Sequence, residues 1–102
     1  MTLEEVRDEL KIIRLYYADK ADFDEAVKVV PHCVTDLVGE YAGMVGKAPL
    51  DLYMIYYKLY VKGLTQESAA EELNFSVEYI RLKNKKLLEY LRENISKRRE
   101  TI

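Results

Sequence analysis

"TQESAAEELNFSVEYIRLKNKK", residues 65–86, decides how this chain is read. Gly63 stops the segment before it, and Thr65 is placed to cap a short helix over "QESAAEEL". Ala70 lies four residues after Gln66, Leu73 three after that, and Ile80 seven further on. Two helices that cross steeply need a small residue where their backbones nearly touch, and Ala70 suits that place. Leu73, Phe75 and Ile80 are expected to fill the corner. Asn74 tolerates left-handed backbone better than most residues, and Ser76 is placed to cap the second helix. This is the apolar skeleton of a helix-turn-helix.

Upstream, Pro49 suits the first turn of a helix, and "LDLYMIYYKLYVKG" is expected to run as one helix to Gly63. Leu52, Ile55, Tyr56, Leu59 and Tyr60 are its core-facing residues. At the start of the chain, Thr2 and Glu5 form a capping box. Leu3, Val6, Leu10, Ile13 and Tyr17 then recur at helical spacing, in a helix ending near Ala18–Lys20. Asp22, with Glu25 at the box position, caps a second helix carrying Phe23, Ala26, Val27 and Val30. Pro31 predicts a kink or break. Helicity resumes through "HCVTDLVGEYAGMV" with Val34, Leu37, Val38, Tyr41 and Val45 inward, and Gly46 stops it. The expected fold is all-α: residues 1–47 a helical region for oligomerisation or partner binding, and residues 48–102 a helix-turn-helix with a long final helix. The two form one compact unit, and the terminal "SKRRETI" is expected to fray.

The 102 residues suit one domain with a single modest core. Apolar residues make up 49% and charged residues 33%, a globular balance. With only four glycines and two prolines, little interrupts long helical stretches. No uncharged run approaches a membrane span, "MTLEEVRDEL" lacks a signal-peptide core, and the lone Cys33 cannot form an internal disulfide. A cytoplasmic protein is expected. The net charge of −2 is unevenly spread. Residues 1–64 carry eight Lys/Arg against eleven Asp/Glu, whereas residues 79–99 carry eight basic residues and two acids, Glu89 and Glu93. Nucleic-acid binders present a basic face; here it is local.

"GLTQESAAEELNFSVEYIRLKNKKLLEYL" resembles the helix-turn-helix of region 4 of bacterial sigma factors. It is more similar still to that domain in small phage and prophage regulators of the ArpU and RinA kind. The resemblance covers about residues 48–92; residues 1–47 resemble no family. Asn74 stands where those families have glycine. Lys83 stands where they have an apolar residue, and Leu82 points nearer the groove side. The resemblance implies that the second helix enters the major groove of double-stranded DNA, its N-terminal half against base edges. Ser76, Val77, Glu78, Arg81 and Lys85 would face that groove. Arg81 would contact guanine, Glu78 cytosine and Val77 a thymine methyl. Thr65 and Gln66 would lie near the phosphate backbone, with Lys86 adding charge. The alternative to DNA contact is that Glu78, Arg81 and Lys85 form only solvated i,i+3 and i,i+4 pairs.

Other chemistry finds little support. His32, Cys33 and Asp36 share a helix face, but zinc wants four ligands and the chain has one Cys and one His. No nucleophile–base arrangement and no glycine-rich phosphate loop is present, so neither an enzyme nor a cofactor is expected. The nine tyrosines are more informative. Tyr53, Tyr56, Tyr57 and Tyr60 crowd one helix, with Tyr16, Tyr17 and Tyr41 earlier. Tyrosine buries a large area while keeping a polar tip, which suits either a core rim or an interface. Tyr16, Tyr17, Tyr53 and Tyr57 are the candidate interface residues, for a homodimer or for a partner such as RNA polymerase. Two functions follow: a phage-type DNA-binding transcriptional regulator, or a small phage-encoded inhibitor or adaptor. The latter would be anti-CRISPR-like, using a helix-turn-helix scaffold to capture a host nucleic-acid enzyme.

Overall fold

A capping box opens the chain: the Glu5 amide donates to Thr2 Oγ1 at 3.2 Å and the Thr2 amide donates to Glu5 Oε1 at 3.3 Å. The computed structural model describes residues 1–18 and 33–100. The helix that follows the box, α1 (Leu3–Ala18), is joined by α2 (Cys33–Val45), α3 (Leu50–Tyr56), α4 (Gln66–Leu73) and α5 (Val77–Glu100). The described residues contain no strand, and the fold is all-α as expected. The helix expected after Asp22, the kink at Pro31 and the surroundings of His32 and the Cys33 side chain lie outside the described residues.

The helix expected to reach Gly63 changes form on the way. Its α-helical part ends at Tyr56, and Tyr57–Val61 is a π-helical turn in which the Lys62 amide donates to the Tyr57 carbonyl at 2.9 Å. The wider turn still delivers Leu59 to the core. Gly63 then takes a φ of +72°, a left-handed value that glycine adopts without Cβ strain. Its carbonyl accepts a 2.8 Å hydrogen bond from Arg14 Nη2, which ties α1 to the entry of α4.

The core is one cluster built around α5. Ile80, Leu87, Leu88, Leu91 and Ile95 follow each other at helical spacing and are fully buried. Each contributes roughly 1.5–3 kcal/mol of burial free energy. Val6, Leu10 and Ile13 come from α1, Tyr41 and Val45 from α2, and Leu52, Ile55 and Tyr56 from α3. α5 touches every other described helix. The frayed C-terminus expected from the sequence is not found up to residue 100. Arg99 instead bonds Glu40 at 2.8 Å and Glu9 at 3.2 Å, while the Tyr41 hydroxyl donates to Glu9 at 2.8 Å. Burial, then the Glu9 hydrogen bond, pushes the Tyr41 phenol well above its ordinary pKa.

The α4–α5 corner forms much as its residues require. Thr65 Oγ1 accepts from the Ser68 amide at 3.1 Å, and Ser76 Oγ accepts from the Tyr79 amide at 3.1 Å. Asn74 adopts φ 59°, ψ 40°, and the Phe75 amide closes the turn on the Ala70 carbonyl at 2.9 Å. Ala69 is as buried as Ala70, so two small residues, not one, let the helices meet. Phe75 is a correction. It is 46% exposed, because the left-handed reversal at Asn74 turns it outward, where its ring rests 4.3 Å from that of Tyr79. Asn74→Gly is expected to leave stability within about 0.5 kcal/mol of the parent. Asn74→Val, forcing a β-branched residue into left-handed backbone, should cost roughly 1–2 kcal/mol in chemical denaturation.

Candidate nucleic-acid interface

The first three turns of α5 have two distinct sides. One side is tied inward. Lys83 Nζ bonds Asp51 Oδ2 at 2.6 Å and sits 5.5 Å over the Tyr79 ring, which joins α5 to the start of α3. The Lys83 hydrogen bond holds the Asp51 carboxyl below the usual carboxylate range. The pair therefore favours the folded state at neutral pH, and that contribution is lost as pH falls through Asp51's depressed pKa.

The other side of α5 faces out. Glu78, Arg81, Leu82 and Lys85 line an open groove of about 450 Å³, which Gln66 at the start of α4 also borders. Arg81 is 61% exposed and donates from Nη1 to Glu78 Oε1 at 2.8 Å, the solvated i,i+3 pair weighed in the sequence as the alternative to DNA contact. Among the described residues Lys85 forms no ion pair. Leu82 is 52% exposed on the same side. Exposed ion pairs of this kind contribute little stability, so Arg81 can change partner cheaply.

The remaining expected residues are placed less openly. The Ser76 and Thr65 hydroxyls are engaged as helix caps. Val77 is half-buried and packs on the core, and Lys86 is exposed but outside the groove. Of the tyrosines, Tyr16 and Tyr17 are half-buried against the core with their rings edge to face at 5.2 Å. Tyr53 and Tyr57 are 44% and 42% exposed. They border, with Tyr17 and Tyr56, a separate pocket of about 390 Å³. Burial raises the Tyr56 phenol pKa, and among the described residues its hydroxyl has no hydrogen-bond partner.

Two features were missed in the sequence. Arg7 of α1 lines the same groove as Arg81 and Lys85. A second pocket of about 210 Å³ shares Arg7 and Asn84 with that groove and is also lined by Lys11 and Arg14. The signal was available: Arg7, Lys11 and Arg14 share one face of α1, beside its apolar stripe. No family model, curated protein or solved structure matches the chain.

Proposed function

We propose that this protein is a DNA-binding transcriptional regulator of the small phage type, working by occupancy and not by catalysis. The N-terminal half of α5 enters the major groove, with Arg81 reading a base edge and Lys85 and Gln66 holding the backbone. One observation carries this reading: Arg81, Lys85 and Gln66 border a single open groove at the outward side of a capped helix-turn-helix. Tyr53 and Tyr57 supply the surface through which two copies pair on a two-fold site or reach RNA polymerase.

The test is a mobility-shift assay against fragments of the encoding genome at two salt concentrations. If about three phosphates are neutralised, affinity should fall roughly fifty-fold between ~50 and ~200 mM salt. Retention of no fragment, or retention indifferent to salt, overturns the reading.

A second reading, a protein-binding inhibitor or adaptor, is favoured by a different observation. Leu50, Met54, Phe75 and Tyr79 line an apolar groove of about 400 Å³ that does not include Arg81. On that reading Arg81→Ala leaves partner capture unchanged, and Phe75→Asp abolishes it.

A further inference from the structure

We infer that the trough between α1 and α5 seats one sugar–phosphate strand of duplex DNA, with Arg7 and Lys11 as backbone contacts outside the helix-turn-helix. The inference rests on the DNA-binding reading and extends it to a helix that the sequence assigns to partner binding.

The two pockets share Arg7 and Asn84 in their linings, which places them side by side along one trough. Its walls carry five cations: Arg7, Lys11 and Arg14 on α1, Arg81 and Lys85 on α5. Glu78 is the one carboxylate among the lining residues, and it is already paired with Arg81. Glu4, outside the lining, forms an exposed i,i+3 ion pair with Arg7 at 3.9 Å. Such a concentration stands out in a chain whose net charge is −2. Among the described residues Lys11, like Lys85, forms no ion pair.

The channel is also held in shape. Arg14 is fixed to the Gly63 carbonyl, and the Tyr60 hydroxyl donates to Asn84 Oδ1 at 2.6 Å. Burial raises the Tyr60 phenol pKa, while Asn84 and the nearby Arg14 and Arg7 charges pull it back. Tyr60 therefore stays protonated and donating to Asn84.

Charge on both walls suits a linear polyanion. Arg7 and Arg14 lie seven residues apart, about 10 Å along the helix, close to the axial rise of about three nucleotides on one DNA strand. In helix-turn-helix complexes the supporting helix crosses the backbone beside the recognition helix. Here Arg14 anchors α1 to the entry of that supporting helix, so a strand leaving Gln66 would continue into the channel.

The experiment compares the full chain with the double variant Arg7→Gln/Lys11→Gln and with Lys47→Gln, a charge control on the α2–α3 connector. Each is titrated by fluorescence anisotropy against a duplex enriched from a random pool and against a mixed-sequence duplex of about 25 base pairs, across a salt series. Both replaced side chains are exposed, so thermal melts should match the parent. The salt slope of the double variant should fall by about 2, with at least roughly tenfold weaker binding at ~0.1 M salt and unchanged preference for the enriched duplex. A slope that falls no further than that of Lys47→Gln overturns the channel and leaves the DNA reading standing. Failure of the parent chain to bind either duplex overturns both.

Discussion

Arg81→Ala is expected to remove most of the protein's preference for its enriched duplex over mixed sequence. A bidentate arginine–guanine contact discriminates by roughly 1–3 kcal/mol, so the ratio of the two affinities should shrink about five- to 150-fold. Binding to mixed sequence should weaken far less, since one of several backbone charges is lost. The Glu78 partner makes a companion result predictable. Its 2.8 Å pair with Arg81 must open before the guanidinium reaches a base, and its charge repels the duplex. Glu78→Gln should therefore strengthen binding to any duplex by a few-fold while keeping a parental salt slope or a slightly steeper one. Anisotropy titrations of the parent and both variants against both duplexes read all three quantities. An Arg81→Ala variant that discriminates as well as the parent would remove Arg81 from the reading surface.

Leu91→Ala is the substitution expected to cost most in stability. Leu91 is fully buried in the stretch of α5 that also carries Leu87, Leu88 and Ile95. Truncating such a leucine costs roughly 2–5 kcal/mol through lost transfer free energy and the cavity left behind. A domain of this size is stable by only about 5–15 kcal/mol. With a shift of about 4–8 °C per kcal/mol for small domains, the melting midpoint should fall by at least ~10 °C. Lys86→Ala, on an exposed part of the same helix, should change stability by less than about 0.5 kcal/mol. A Leu91→Ala midpoint within about 3 °C of the parent would mean that α5 is not the centre of the core. On the proposed DNA-binding reading, the variant should bind DNA with parental affinity wherever it remains folded, since Leu91 is buried and does not line the groove of Arg81 and Lys85.

Much of the fold was legible because the decisive signals are local. The Thr2–Glu5 box, the caps at Thr65 and Ser76, left-handed Asn74 and the stops at Gly46 and Gly63 each act within four residues of backbone, and each forms as read. The apolar stripe of α1 and the buried faces of α2 and α3 follow from helical periodicity alone. The outward side of α5 was legible for the same reason, since Arg81 and Lys85 lie one turn apart on the face opposite the core.

Tertiary structure decided what depends on neighbours distant in sequence. Phe75 points outward because the reversal at Asn74, not hydrophobicity, sets its direction. Lys83 is drawn toward α3 because Asp51, 32 residues away in sequence, meets it at the surface. The π-helical turn and the Arg99 clamp likewise answer to packing partners on other helices. Charge shows the difference most clearly. Counted along the chain, the first 64 residues are acidic. Folded, one of their cations, Arg7, lines the same groove as Arg81 and Lys85, because a helix exposes one face to one neighbour and charges act through space.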